Sequence, residues 1–195
     1  MLMEELFSRG VMTMGPSRVD PPRQVGTFKP DYLAGLPALR ASELEKFRWI
    51  VGEWNHENSV PATRVSPAYI DIGSSRYAFG EGGNWVCIVA PNGREIPLIT
   101  FDPFSRQWIY TLTNGAYCTL RSSEGWTHTA DGDQIVFTGL MTMIGINRDW
   151  RMTWTRKGSD EFGFINEERA EDAPSSGSWA YIDEWRFRRR TGNPA

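Results

Sequence analysis

Trp49-Ile50-Val51-Gly52-Glu53-Trp54 stands between a short helix signal and a long run of strand-and-turn sequence. A glycine two residues ahead of a tryptophan suits a chain that leaves a helix and enters a first strand beneath it. Glycine permits the sharp turn of the backbone. The indole is large enough to plug the floor of a sheet curling around it. The hexapeptide therefore predicts a barrel with a base helix, with Gly52 and Trp54 as its structural motif.

Just upstream, Ser42-Glu43-Leu44-Glu45 reads as a capping box, Ser42 taking the third amide and Glu45 reaching back. Leu44, Phe47 and Val51 follow at spacings of three and four and give one apolar stripe. Together they predict one short N-terminal helix, ended by Gly52 and too short to stand without packing on the sheet. Residues 1–40 read as an extended, partly disordered leader, because Pro16, Pro21, Pro22, Pro30 and Pro37 interrupt any long helix. Low order is expected before about residue 25. Phe28-Lys29-Pro30-Asp31-Tyr32-Leu33 is the stretch of the leader suited to dock along the barrel. The opening segment is acidic and lacks the long apolar core of a signal peptide. Met12 and Met14 are alternative start codons to Met1.

Downstream of Trp54 the punctuation is regular. Turn signals fall at Gly80-Glu81-Gly82-Gly83, Pro91-Asn92-Gly93, Asp102-Pro103, Asn114-Gly115, Glu124-Gly125, Asp131-Gly132, Gly145, Lys157-Gly158-Ser159-Asp160 and Ala173 to Ser178. Most are about 8 to 14 residues apart, close to the spacing of an antiparallel meander. Asn-Gly and Asp-Gly are the dipeptides that tight hairpins prefer, since both central residues need positive φ. Strands do not alternate with helices, which disfavours a parallel sheet, and no motif recurs at a fixed period.

Several strands declare two faces. Trp108, Tyr110 and Leu112 alternate with Ile109 and Thr111, and Trp150, Met152 and Trp154 alternate with Arg151, Thr153 and Thr155. Trp179, Tyr181, Asp183, Trp185 and Phe187 alternate with Ala180, Ile182, Glu184, Arg186 and Arg188. A flat sheet of about nine or ten such strands would leave two open edges and an uncovered apolar face, and closure into a barrel removes both. The expected fold is mainly β: an up-and-down antiparallel meander closed into a barrel over residues 41–190, with 191–195 as a tail.

Bulk composition narrows the function classes. Aromatic residues make up 13% of the chain, nine of them tryptophan, against a negative mean hydropathy. That suits a sheet with one dry and one wet face. The net charge of -3, with both signs interspersed, lacks the electrostatic footprint of a nucleic-acid binder. The run Arg186-Phe187-Arg188-Arg189-Arg190 is read as a solvated strand face that protects an edge. No apolar run has the ~20 residues of a membrane-spanning helix. Cys87 and Cys118 lie in no Cys-x-x-Cys pair and read as reduced thiols of a cytoplasmic protein.

The helix, Val51-Gly52-Glu53-Trp54, Thr100-Phe101-Asp102-Pro103 and the closing Asp183-Glu184-Trp185-Arg186-Phe187-Arg188-Arg189 together resemble a bacterial lipocalin-like, calycin-type family defined as a domain of unknown function. The resemblance covers roughly residues 42 to 190 and implies a closed or nearly closed antiparallel barrel with an internal cavity. The opening Gly-x-Trp is shared with lipocalins, fatty-acid-binding proteins and haem-binding nitrobindins. It specifies a fold far better than a function. Nitrobindins follow the first tryptophan with further glycines and use a late histidine on haem. Here Asn55-His56-Glu57-Asn58 follows Trp54 and no histidine occurs after His128, and both departures count against haem.

The interior positions carry the functional reading. Trp108, Tyr110, Phe137, Met141, Met143, Trp150, Met152, Trp154, Phe162 and Phe164 either line a pocket or fill the barrel solid. Tyr181 and Asp183 extend this set along the last strand. Asp183 is the notable polar member. Functionally it is a general base or a hydrogen-bond anchor for a ligand, raised in pKa by apolar walls. Structurally it is one half of an ion pair with Arg76, Arg121 or Arg148, or is turned outward by a bulge. His56 and His128 are the only histidines, and His128 is expected at a solvated edge beside Asp131-Gly132. No histidine or cysteine cluster has metal-ligand spacing, and no cofactor is expected. The chain is thus expected to bind a small apolar or amphipathic molecule. The alternative is a cavity enzyme of isomerase, cyclase or hydratase type using Asp183 or a histidine. An uncovered sheet edge would favour a homodimer.

Overall fold

The computed structural model describes residues 30–64, 66–113, 116–143, 145–170 and 177–190. Residues 1–29 of the expected extended leader 1–40, the Asn114-Gly115 turn, most of the 173–178 turn and the 191–195 tail lie outside them, whereas residues 30–40 of that leader are helical. By its contacts the chain divides into Met1–Gly35 and Leu36–Ala195. Only the first turns of helix α1 are described in the first unit, and the second holds everything that follows.

Helix α1 runs Pro30–Leu44, with Pro37 inside it, and continues directly as a 3-10 turn, Glu45–Ile50. The helix therefore starts well ahead of the expected capping box. A proline is well suited to the first helical position, where its fixed φ helps and its missing N–H is not needed. Ser42 lies within the helix and its hydroxyl donates to the Leu39 carbonyl at 2.9 Å instead of capping. The apolar stripe also differs from the expected one. Leu44, Phe47 and Ile50 are buried, while Val51 is only partly so. A spacing of three is the period at which side chains eclipse in a 3-10 helix.

Eleven antiparallel strands follow: β1 Gly52–Val60, β2 Tyr69–Phe79, β3 Val86–Val89, β4 Glu95–Asp102, β5 Gln107–Leu112, β6 Ala116–Ser122, β7 Thr127–Thr129, β8 Gly132–Met143, β9 Ile146–Arg156, β10 Glu161–Ala170 and β11 Ala180–Arg189. Neighbours in sequence pair, except β6 and β7; β6 pairs with β8 instead, and β11 pairs with β1. The result is a closed ten-strand barrel, with β7 a short arm on the start of β8. The Gly80, Pro91, Glu124, Gly145 and Lys157 turn signals fall between strands, and Asp102-Pro103 and Asp131-Gly132 mark the end of β4 and the start of β8.

At the junction Gly52 adopts φ +130°, a backbone that residues with a Cβ rarely take. A Cβ there would also lie 2.8 Å from the Arg189 guanidinium. Trp54 is fully buried and its indole N–H donates to the Ile50 carbonyl at 2.7 Å. Phe47 packs between Trp108 and Trp126, 4.9 and 5.0 Å between ring centroids. The 3-10 turn thus closes one end of the barrel with aromatic side chains. None of the helices among the described residues is long and apolar enough to cross a membrane.

Candidate functional site

The interior is neither wholly solid nor wholly hollow. Near the 3-10 turn it is filled: Phe47, Trp54, Trp108 and Phe162 are each at most 3% exposed, and Phe162 stacks on Phe187 with centroids 4.3 Å apart. Beyond this floor lies a partly enclosed cavity of about 370 Å³. Among the positions singled out in the sequence, Tyr110, Met141, Met143, Trp150, Met152, Trp154, Phe164 and Asp183 line it. Trp108 and Phe162 belong to the packed floor instead, and Phe137 is buried beside Tyr110 without lining the cavity.

Tyr181 is the clear departure. It is 46% exposed and faces away from the cavity, which Ile182 lines. The cause is a bulge in β11. Asn166 pairs with Asp183, but Glu167 pairs with Tyr181, so Ile182 is the extra residue. A bulge inverts which residues face inward beyond it. Trp179 accordingly lies outside, its ring 4.7 Å from both the Arg151 and Arg169 guanidinium carbons. The bulge falls just before Asp183 and leaves that carboxyl pointing in.

Among the described residues, Asp183 has no arginine partner. Arg148 reaches Glu168 at 3.9 Å, Arg121 donates to Gln107, and Arg76 is exposed. Its partners are neutral. Asn166, 6% exposed, donates from Nδ2 to Asp183 Oδ1 at 2.7 Å. The Trp150 indole N–H in turn donates to Asn166 Oδ1 at 3.1 Å, which fixes the orientation of that amide. The Trp185 indole and Asn58 amide also favour the charged carboxylate, but burial outweighs all three and holds Asp183 above the usual carboxylate range. Asn58 is 8% exposed and its Oδ1 has no hydrogen-bond partner.

A second polar group lies on the β1–β2 wall. His56 Nδ1 is 2.8 Å from Ser75 Oγ, and both line the cavity with Tyr77. The imidazole lies against Gly73, where a Cβ would come 2.6 Å from Nε2. Burial holds His56 below the ordinary histidine range, opposed by the charge of Asp71. Burial also keeps the phenols of Tyr77 and Tyr110 protonated. His56 shares inward parity with Trp54 and Asn58, so period-two counting from Trp54 was the signal that would have placed it here.

The remaining candidates lie elsewhere. His128 is exposed on β7, its Nδ1 2.8 Å from Asp133 Oδ1. Cys87 and Cys118 are buried and unpaired, and burial pushes the Cys118 thiol up to about 11. The described residues contain no group of three or more His, Cys, Asp or Glu arranged to hold a metal ion.

No family model and no curated protein matches this sequence. Among solved structures the chain is similar to Rv2717c from M. tuberculosis, with a TM-score of 0.51 at 10% identity, covering 76% of this chain and 97% of that one. It also matches a DUF3598-family protein of unknown function from Nostoc punctiforme, with a TM-score of 0.37 at 13% identity, covering 73% of this chain and 48% of that one. At such identities the first likeness is one of fold alone.

Proposed function

We propose that this chain is a lipocalin-like binding protein that holds a small apolar or amphipathic molecule inside its barrel. The observation that carries this reading is the cavity itself. It measures about 370 Å³, within the span of roughly 300–1,000 Å³ in which small-molecule sites fall. Its walls are mostly aromatic and aliphatic, with Asp183, Asn166, His56 and Ser75 as localised polar groups. That combination supplies burial for an apolar body and a few directional contacts to orient it. The aromatic floor beneath it closes one end, so the ligand is contained and does not pass through.

Native mass spectrometry of gently purified protein, paired with titration of a hydrophobic fluorescent dye, tests the reading. A co-purified small molecule, or saturable dye uptake lost when Met141→Trp fills the cavity, is the expected result. Absence of both a bound molecule and saturable uptake would refute it.

A further inference from the structure

We infer that the ligand is an organic cation, a protonated amine on an apolar body, with its nitrogen seated against Asp183. This rests on the reading of the cavity as a ligand site and names the chemistry of its occupant.

The first argument is charge. Among the described residues, Asp183 is the one acidic side chain in the cavity wall, and no lysine or arginine lines that wall. The three side chains that favour its charged form are Asn166, Trp185 and Asn58, all neutral. These three neighbours favour a carboxylate, burial opposes it, and the described residues supply no counter-charge to offset that burial. A buried carboxylate without a cation is costly unless something pairs with it. His56 does not fill the role, since burial favours its neutral form.

The second argument is the orphaned acceptor. Asn58 Oδ1 is buried without a partner, on an amide that also acts on Asp183. Leaving such an oxygen unsatisfied is unfavourable. Asn58 lies behind the cavity lining and next to Asp183, so this end of the cavity is rich in acceptors, and a protonated amine brings several N–H donors to it. A ligand carboxylate or phosphate has only acceptors and would face Asp183 with like charge.

The third argument is the walls. Phe164 and Trp185 stack with centroids 5.6 Å apart, and Trp154 stacks on Phe164 at 5.2 Å. Aromatic faces attract cations through their quadrupoles and bury an apolar body at the same time.

The test compares three probes with the same tail: decylamine, decanol and decanoate, each titrated near neutral pH below its micelle concentration. Decylamine is expected to bind at least about tenfold more tightly than decanol, with decanoate weakest. In Asp183→Asn the preference for amine over alcohol is expected to disappear. Should that variant fail to fold, the order of the three probes on the unmodified protein still decides. Decanol or decanoate binding as tightly as the amine would overturn the cation assignment and leave the cavity reading standing. Saturable binding of none of the three would overturn both.

Discussion

The Arg189 guanidinium lies over the Trp54 indole, 4.3 Å from the ring centroid. It also donates to the carbonyl oxygens of Trp49 and Val51. The last strand is thereby clamped to the first across the closing seam of the barrel, at the carbonyl end of the 3-10 turn, where a cation is favoured. The guanidinium makes these contacts at once because it is planar and carries several donors. Arg189→Met is expected to lower stability by about 2–3 kcal/mol in urea denaturation. Arg189→Lys should recover only a minor part of it. A loss in Arg189→Met no larger than that of a surface change, about 0.5 kcal/mol, would refute the clamp.

Gly52 is constrained twice, by its φ of +130° and by the nearness of Arg189. Gly52→Ala is expected to cost about 1–3 kcal/mol. In a double-mutant cycle with Arg189→Met the two losses should be less than additive, because trimming the arginine relieves one of the two conflicts. Additive losses would separate the residues.

The bulge in β11 makes adjacent residues opposite in consequence. Tyr181→Ser is expected to change stability by no more than about 0.5 kcal/mol, as for an exposed position. Ile182→Ser, in the cavity wall, should cost clearly more. Equal effects, or the reverse order, would mean that the register of the last strand is wrong.

The two titratable cavity residues predict opposite slopes with pH. The folded state holds His56 below the ordinary histidine value, so the unfolded chain binds its proton more readily. This contribution to stability is intact above about pH 6.5 and is lost as pH falls through the folded value. Asp183 is held above the usual carboxylate range, so the folded state binds its proton more readily. Its contribution is greatest below the unfolded value of about 3.9 and is lost as pH rises through the folded value. Thermal melts across this range should show that His56→Gln removes the acid-side loss and Asp183→Asn the rise toward acid. Profiles parallel to the parent would contradict both assignments.

The barrel was legible because its signals are local: Gly52 and Trp54 at the junction, and strand alternation such as Trp150-Met152-Trp154 with turn residues between. The start of α1 was not, because Ser42 and Glu45 imitate a cap that the preceding helix makes unnecessary. The reach of inward parity along β11 was misread past Asp183. A bulge leaves no mark in the alternation of Tyr181 and Asp183, and only the register against Glu167 and Asn166 reveals it. Asp183 itself was located, but its partners were not. Asn58 and Asn166 are far from it in sequence, and charge alone points to arginine where the fold supplies amides and indoles. In the sequence His56 is a candidate without a place in the cavity wall, because its neighbours Asn55 and Glu57 are polar, which disguises a strand whose other face is dry.

The most direct test of the central claim is a crystal structure of the protein grown with decylamine. Density for the probe is expected inside the barrel, bounded by Trp154, Phe164 and Trp185, with the nitrogen at the Asp183 carboxylate. A barrel interior closed up by side chains, or a probe bound only on the outer wall, would contradict it.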